Sequence, residues 1–404
     1  MTDDRLEYLT EISPLLWPPP LTLSIGRVAP AIGAAVHREF LLLPHVRRPR
    51  LLVPVGRRPS AAAVRRYGEG SGRLARWSAA GLSVAGRTGL AQVLLRDRVR
   101  LSLPAGQDVT GIEEHLGEVL GREVLVSLHL SPPRANRKPV LQLLSPRGET
   151  FAFVKVGVSP LTSRLVQAER TSLEAVRAAG LQTVRAPTVL HSGPWRGLQL
   201  LVQSALPVWQ RRRALTPELV QQAQREVAGI GGTPADELVA SAYWSRLTDR
   251  VAALPPSPAT DQLATALSGI AAAAGGVRLA RGAWHGDWTA WNTAAADGTL
   301  MVWDWERFET GVPVGFDAVH LALQTDLVNR SNDPLASAER CLATAPAVLA
   351  PFGLSAQQAH VTAMTYLAEL ATRYLGDRQS EAGARLGDVG AWLLPALRHR
   401  LQQK

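Results

Sequence analysis

The sequence predicts an α+β protein with two lobes, a strand-rich lobe followed by a helical one. The chain has 404 residues, more than one compact core normally takes, so at least two folding units are expected. Between residues 121 and 206 the pattern predicts five short strands, with one helix after the third. Beyond residue 206 nearly every periodic segment is helical. We therefore expect an N-terminal extension at 1–120, a strand-rich lobe at 121–206 and a helical lobe at 207–404.

Composition narrows the class of protein further. Hydrophobic residues make up 46% of the chain, and no apolar run approaches the ~18 residues that a membrane helix needs. The first residues carry no apolar segment of the kind that marks a secretory signal. A single cysteine, Cys341, excludes an internal disulfide and fits a reducing compartment. These features predict a soluble, cytoplasmic protein without a membrane span.

The net charge is unevenly distributed along the chain. Residues 1–206 carry a net +12 and residues 207–404 a net −2, within a total of +10. A basic front half is compatible with nucleic acid, with an anionic surface or with nucleotide phosphates. Since no nucleic-acid-binding motif accompanies the charge, we expect no nucleic-acid partner.

The first 120 residues form a separate region in the sequence pattern. Two apolar runs, at 39–44 and 50–55, predict a hairpin, and Ala- and Arg-rich helical sequence follows from Ser60. A short strand at 99–103 and a helix from about Gln107 to Gly121 complete the region. No motif in it points to chemistry. It is expected to act either as a cap on the next lobe or as a docking module for a protein partner.

The strand-rich lobe contains a lysine in an unusual place. The predicted strands cover 123–130, 139–144, 150–156, 188–191 and 198–203, and the helix covers 161–179. Lys155, one of only three lysines, falls inside the third strand, where a buried charge is costly unless it is paired. Glu169 follows on the helix and offers such a partner. Glu174 is an alternative, but five helical residues turn it about 140° away from Glu169.

The helical lobe contains a cluster of residues suited to phosphoryl transfer. The chain reads Trp-His-Gly-Asp-Trp-Thr-Ala-Trp-Asn at 284–292 and Val-Trp-Asp-Trp-Glu at 302–306, with a hairpin predicted between them at Asp297-Gly298. Phosphoryl transfer needs a carboxylate that orients the attacking hydroxyl and hard oxygen ligands for magnesium. Asp287 suits the first role, whereas Asn292 and Asp304 suit the second.

These two segments resemble the active-site signature of the aminoglycoside phosphotransferase and choline kinase group of kinase-like enzymes. The shared pattern is His-Gly-Asp, four residues, Asn, and then Asp-Trp-Glu. The resemblance implies a two-lobed, protein-kinase-like fold, with Asp287 as catalytic base and with Asn292 and Asp304 as metal ligands. His285 would brace the loop, and Asp317, in Gly-Phe-Asp, would support it structurally.

The same resemblance implies a nucleotide site in the strand-rich lobe. Lys155 paired with Glu169 would hold the α- and β-phosphates of ATP. The loop at 131–139 lacks the glycines of a phosphate-binding loop. Arg134, Arg137 and Lys138 are therefore candidate hydrogen-bond donors to the phosphates, with an exposed basic turn as the alternative. Backbone groups of Ser204 and Leu206 are candidates for binding the adenine edge.

The acceptor is the part of the reaction that the sequence leaves open. Trp288, Trp291 and Glu306 lie within the motif segments and are candidates for contacting it. We expect an ATP- and Mg²⁺-dependent phosphotransferase acting on a hydroxyl of a small molecule such as a sugar, an amino alcohol or an antibiotic-like metabolite, with GTP as the alternative donor. Two further alternatives remain, a protein or peptide kinase that docks through residues 1–120 and a nucleotide-binding pseudokinase.

Overall fold

The computed structural model describes residues 4–27, 34–68, 96–208, 214–296, 298–329, 333–384 and 386–403. Within these residues the chain is a mixed α and β protein with 11 α-helices and mainly antiparallel sheets. It divides into two compact units. The first holds residues 1–133, 137–166 and 189–209, and the second holds 134–136, 167–188 and 210–404. Among the described helices, none is both long and apolar enough to span a bilayer.

The first unit is built on one nine-stranded sheet. In chain order the strands are β1 Thr22–Gly26, β2 Ala34–Leu43, β3 Leu51–Pro54, β4 Arg98–Pro104, β5 Leu125–His129, β6 Val140–Leu144, β7 Thr150–Gly157, β9 Val189–Trp195 and β10 Leu198–Ser204, while β8 Val184–Arg185 belongs to the second unit. The spatial order is β1-β4-β2-β3-β5-β6-β7-β10-β9, and every neighbouring pair is antiparallel. The five strands predicted for residues 121–206 are therefore five of nine.

The N-terminal strands join that sheet rather than forming one of their own. β3 pairs with β5 through Leu51 opposite His129 and Leu52 opposite Leu128. This pairing extends the sheet across residue 120, where a domain boundary was expected, and both sides of that position belong to the same compact unit. The boundary was missed because the pairing joins segments more than 70 residues apart, which no local pattern reports.

Side-chain alternation along the strands assigns one core to each face of the sheet. Phe40 and Leu42 of β2 pack in the larger core, together with α1 (Asp4–Leu16) and α3 (Ile112–Leu120). Leu41 and Leu43 pack on the opposite face with α2 (Arg57–Gly68). This period of two is the geometry of a pleated strand. On β7, Val154 and Val156 join the larger core, so Lys155 lies on the other face.

Local signals place most helix ends, with one difference in the N-terminal region. The helix expected from about Gln107 begins at Ile112, because Glu114 folds back and accepts the N–H of Gly111, which sits at the N-cap. It ends, as expected, at Gly121, whose φ of +64° is left-handed. The helical sequence expected from Ser60 is α2 as far as Gly68, and residues 69–95 lie outside the described part of the chain.

The second unit is mainly helical. Its helices are α5 Pro217–Ala228, α6 Ala242–Ala252, α7 Pro258–Ala274, α8 Phe316–Asn329, α9 Pro334–Leu349, α10 Ala356–Gly376 and α11 Leu393–Gln402, together with most of α4 (Pro160–Ala179). Their apolar faces enclose one core, in which Tyr243, Trp284, Phe316 and Tyr366 pack edge to face. Cys341 of α9 is buried in the same core, as a small apolar residue would be.

Two small sheets complete the second unit, and the two motif segments at 284–292 and 302–306 run between and along them. One contains β11 (Thr233–Glu237), β12 (Arg278–Trp284) and β15 (Glu309–Pro313). The other contains β13 (Thr293–Ala296), β14 (Thr299–Val302) and β8, which runs parallel to β14. β13 and β14 form the expected hairpin around Gly298, although Asp297 of its turn lies outside the described residues. The loop from 285 to 292 thus leaves one sheet and enters the other.

Candidate active site

The loop that follows β12 is held in one conformation by a glycine at its second position. Gly286 has a φ of +82°, a region that L-residues with a Cβ rarely adopt. A Cβ built there would lie 2.2 Å from the carbonyl oxygen of Arg307, so only glycine fits. The Gly286 carbonyl accepts a hydrogen bond from Arg373 of α10 at 2.6 Å. Sterics and hydrogen bonding therefore both fix the backbone immediately before Asp287.

Asp317, at the start of α8, holds the same loop through hydrogen bonds to its backbone. One carboxylate oxygen accepts the N–H of His285 at 2.7 Å and the other accepts the N–H of Gly286 at 3.1 Å. Burial raises the pKa of Asp317 to about 7, against the two N–H donors, which lower it. Within the described part of the chain both oxygens accept backbone N–H groups of the loop, and the structural role expected of Asp317 from the sequence stays a prediction.

His285 lies beneath the loop as a neutral, fully buried ring. Its Nε2–H donates to the Trp303 carbonyl at 3.1 Å, and its Nδ1 accepts the N–H of Asp287 at 3.1 Å. Those two contacts require the tautomer with the proton on Nε2. Burial lowers the pKa of His285 to about 4, so the ring is uncharged at neutral pH. His285 thus ties the loop to the strand end that precedes Asp304.

Asp287 carries the carboxylate that the loop presents. Asn292 donates to its Oδ2 at 3.0 Å and His320 Nε2 lies 3.3 Å from its Oδ1. Burial would raise the pKa of Asp287, but the hydrogen bond and charge interaction with His320, together with the nearby Arg373, lower it below its usual value. The side chain is nevertheless 36% exposed. Asp287 is therefore an ionised, oriented carboxylate that remains open to a ligand.

His320 was not among the residues identified from the sequence. It lies on α8 and is 1% exposed, with Nδ1 2.8 Å from the Tyr366 hydroxyl of α10. Burial lowers the pKa of His320 and raises that of Tyr366, so the tyrosine keeps its proton and donates to Nδ1. The neutral ring then has its own proton on Nε2, directed at Asp287. Tyr366, His320 and Asp287 form a chain of aligned hydrogen bonds.

Three carboxylates come together beside the loop. One oxygen from each of Glu169, Asp304 and Glu306 lies within 4.8 Å of the other two. Glu169 and Glu306 are buried, and Glu169 also accepts the N–H of Trp305 at 3.3 Å. Asp304, two residues after β14, adopts a left-handed backbone conformation with φ +75°, which is unusual for a residue other than glycine. Hard oxygen donors at this separation fit a divalent cation such as Mg²⁺.

Asn292 connects the carboxylate loop to this cluster through the backbone. It is 5% exposed, and its carbonyl accepts the N–H of Trp303, the residue before Asp304. Its side-chain Nδ2 bonds both the carbonyl and the carboxylate of Asp287. The amide therefore orients Asp287 in the described structure, while its role as a metal ligand stays a prediction.

A cavity of about 200 Å³ opens at Asp287. Arg134 and Asn136 line it from the short segment 134–136, and Asn136 Nδ2 donates to Glu306 at 3.3 Å. Arg307 and Arg373 add two further guanidinium groups to its wall. Three arginines around an ionised carboxylate make a polar recess suited to an anionic group near a hydroxyl. Of the basic loop residues named from the sequence, Arg134 is the one that reaches this cavity.

Arg137 and Lys138, the other two basic loop residues, line none of the described cavities, and their binding of phosphate stays a prediction. Arg137 bonds Asp4 of α1 at 3.0 Å, lies over the Tyr8 ring at 3.7 Å and is 11% exposed. That side chain belongs to the packing of α1, which the sequence could not foretell because Asp4 and Tyr8 are more than 120 residues away. Lys138 is buried just before β6. Both lie in the first unit.

The tryptophans of the loop separate into a packed and an exposed residue. Trp288 is 1% exposed and meets the His285 ring edge to face at 5.9 Å. It is a packing residue, so the stacking on an acceptor considered for it does not fit. Trp291 is 46% exposed and lines none of the described cavities. Glu306, the third candidate for contacting the acceptor, lines the cavity at Asp287.

The residues expected to bind the nucleotide lie mainly in the first unit. Lys155 is 6% exposed on β7, opposite Leu201 of β10. Ser204 ends β10, and the carbonyl of Leu206 accepts the N–H of Val208 at 2.8 Å. Glu169 belongs to the second unit. The pairing of Lys155 with Glu169 and the adenine contacts of Ser204 and Leu206 therefore stay predictions.

Fold and site together describe a mixed α and β protein that presents an oriented aspartate beside a carboxylate cluster. Solved structures similar to this chain include an aminoglycoside phosphotransferase, APH(4)-Ia, in a thermostable mutant form, with 13% identity, 72% of this chain and 98% of that chain covered, and a TM-score of 0.45. A choline/ethanolamine kinase family protein from Mesorhizobium loti matches with 15% identity, 68% and 89% coverage, and a TM-score of 0.40.

A third similar structure is the aminoglycoside phosphotransferase APH(3'')-Id from Streptomyces rimosus in complex with ADP and streptomycin, with 17% identity, 57% and 90% coverage, and a TM-score of 0.36. These are proteins of the group that the sequence motif resembles. No family model and no curated protein matches the chain. Since identity and TM-scores are low, the roles of individual residues rest on the geometry of this site alone.

Proposed function

We propose that this chain is an ATP- and Mg²⁺-dependent phosphotransferase that moves the γ-phosphoryl group to a hydroxyl of a small molecule. The observation that carries the proposal is Asp287: an ionised carboxylate, bound by Asn292 and His320 yet 36% exposed, on a loop fixed by Gly286 and Asp317. A carboxylate held in this way is suited to accept the hydrogen bond of an attacking hydroxyl. The two-lobed, kinase-like architecture is part of the same proposal.

Asp287 and the arginines around it would do the positioning. The acceptor hydroxyl donates to Asp287, its oxygen bonds to the γ-phosphorus as the bond to the ADP oxygen breaks, and the proton passes to the carboxylate. Arg134, Arg307 and Arg373 line the cavity at Asp287 and would balance negative charge there. Lys155 of β7 is proposed to contact the phosphates of the donor.

The carboxylates of Glu169, Asp304 and Glu306, with Asn292 nearby in the chain, would hold the magnesium ion. The fit rests on three oxygens within 4.8 Å of one another, two of them on buried side chains. When bound, the ion neutralises phosphate charge as it builds up during transfer.

The test is transfer of label from γ-labelled ATP, with Mg²⁺, into a cell extract separated by molecular size. Wild-type protein is compared with Asp287→Asn and with the matched control Asp249→Asn, an exposed aspartate of α6. We expect label in the small-molecule fraction with wild type and control, and a loss of about 10²- to 10⁴-fold with Asp287→Asn. Label in polypeptides would indicate a protein kinase instead. Bound ATP without transfer to either fraction would indicate a pseudokinase.

A further inference from the structure

A second and larger cavity adjoins the one that contains Asp287. It measures about 460 Å³, within the range of about 300–1,000 Å³ typical of small-molecule sites. Glu306, Arg307, Arg373 and Asp377 line both cavities, so the two share a wall and a ligand in the larger one lies next to Asp287. All of these residues belong to the second unit.

Ion pairs within this larger cavity cancel most of its charge. Arg250 of α6 pairs with Glu369 of α10, which is 3% exposed and also accepts the hydroxyl of Tyr243 at 3.0 Å. Arg307 pairs in the same way with Asp377. Two of the four carboxylates on the wall are therefore already matched by an arginine on the same wall.

The other two carboxylates are also occupied or compensated. Glu306 accepts from Asn136 and belongs to the proposed metal cluster. Glu309 lies 3.7 Å from Arg246, and burial together with the nearby Glu369 raises its pKa. Arg373 faces no carboxylate partner among its described contacts and donates to the Gly286 carbonyl. A polycation would meet three arginines here and find no set of unmatched carboxylates.

Uncharged groups complete the wall. Leu254, Phe308 and Trp284 supply apolar and aromatic surface, and Arg373 lies 5.7 Å above the Trp284 ring. The indole N–H of Trp284, a 3% exposed residue, has no hydrogen-bond partner within the described part of the chain. Aromatic surface beside alternating donors and acceptors suits a ring that carries hydroxyl groups.

We infer that the larger cavity holds the phosphoryl acceptor and that this acceptor is an uncharged, hydroxyl-rich molecule, a sugar or a sugar-like polyol, rather than a polycationic aminoglycoside. That this ligand is the phosphoryl acceptor rests on the proposed function. The binding itself can be measured without phosphoryl transfer. Ion-paired arginines and carboxylates bind neighbouring hydroxyls as donors and acceptors, while their cancelled charge gives a cation no advantage.

The experiment is calorimetric titration of the full chain, without nucleotide, so that its result does not depend on phosphoryl transfer. The neutral probes are glucose, maltose and myo-inositol, and the cationic probes are glucosamine and kanamycin. We expect at least one neutral probe to bind, with glucosamine and kanamycin about tenfold weaker or worse. Glu309→Gln should weaken the neutral probe about three- to tenfold, since a charged hydrogen bond is replaced by a neutral one.

Two variants give the selectivity its own test. Glu174→Gln is the control for Glu309→Gln, because it makes the same glutamate-to-glutamine change at an exposed residue of α4. It should bind the neutral probes as tightly as wild type does. Arg250→Met unmatches Glu369 and should narrow the preference for glucose over glucosamine. The inference is overturned if kanamycin or glucosamine binds tighter than every neutral probe, if no neutral probe binds, or if Glu309→Gln behaves like Glu174→Gln. The proposed function fails separately, in the labelling experiment with Asp287→Asn.

Discussion

His320 Nε2 lies 3.3 Å from Asp287 Oδ1, and the two residues stand 33 positions apart in the chain. The other carboxylate oxygen of Asp287 is bound by Asn292, so each oxygen has a different fixed donor. Tyr366 holds the far side of the His320 ring. The histidine therefore both aims the carboxylate and favours its ionised form, and this relationship leads to the first prediction.

Replacing His320 by alanine should move the acidic limb of the pH–rate profile to higher pH. Removing the Nε2 donor removes the largest effect that opposes burial, so the pKa of Asp287 rises and a higher pH is needed to ionise it. We expect kcat at pH 7 to fall about 10- to 100-fold, because the Asp287 carboxylate also loses one of the two hydrogen bonds that orient it. The measurement is the rate of ADP formation between pH 5 and 9.

His320→Gln serves as the rescue variant, because an amide N–H can reach toward Asp287 from the same backbone position. Partial recovery of both rate and acidic limb is expected. A His320→Ala enzyme with a lower rate but an unmoved acidic limb would contradict the positioning role and leave only a packing role for the ring.

The carboxylate cluster should bind Mn²⁺, a spectroscopic substitute for Mg²⁺. Glu169→Gln and Asp304→Asn each remove one charged oxygen ligand, and each should weaken Mn²⁺ binding about 10- to 100-fold. Electron paramagnetic resonance of free Mn²⁺ measures this directly. Glu174→Gln is the matched control on the same helix, since Glu174 is exposed and pairs with Arg170. Equal loss in Glu169→Gln and Glu174→Gln would argue against a site at Glu169.

Gly286→Ala should damage the loop by steric clash as well as by backbone strain. Its Cβ would lie 2.2 Å from the Arg307 carbonyl oxygen. Gly353 has a similar φ of +75° but open space around it, so Gly353→Ala carries the backbone strain alone, about 1 kcal/mol. We expect Gly286→Ala to lower the free energy of unfolding by more than its control and to reduce activity. Urea unfolding of both variants compares the two; equal losses would refute the clash.

His285 should make the protein sensitive to mild acid. Its pKa is about 4 when folded and 6.5 in a model peptide, so the folded state binds fewer protons between those values. The stability contributed by the neutral ring is complete above pH 6.5 and is lost as pH falls toward 4, by about 3 kcal/mol in total. His285→Gln should lose less stability than wild type between pH 7 and pH 4.5.

Urea unfolding at the two pH values measures this difference, and His45→Gln, at an exposed histidine, is the control. The comparison between variants is needed because Asp317 acts in the opposite direction: its raised pKa favours the folded state at lower pH. A wild type and a His285→Gln variant with the same pH dependence would show that His285 is not buried in its neutral form.

The loop chemistry could be predicted from sequence because its parts are close together along the chain. His285, Asp287 and Asn292 fall within eight residues, and the β13–β14 hairpin returns the chain to Asp304. His320 could not be found in this way, since a single histidine on a helix has no pattern that separates a packed ring from a functional one. The same holds for Arg137, whose partners lie on α1.

The strands of the first unit could likewise be predicted from sequence, whereas one of their pairings could not. The strands of residues 121–206 follow local alternation and are where that alternation puts them. The pairing of β3 with β5 depends on which exposed edges meet after the chain has travelled 70 residues, and hydrophobic alternation alone does not encode it.

That pairing also determines what would happen to a shortened chain. A protein starting at residue 121 would keep every residue of the carboxylate loop but would present β5 as a bare edge, with unpaired N–H and C=O groups where Leu51 and Leu52 now bind. Open edges of this kind recruit other strands. The first 120 residues are therefore expected to prevent self-association by covering the edge of β5. A truncated form that starts at residue 121 should self-associate.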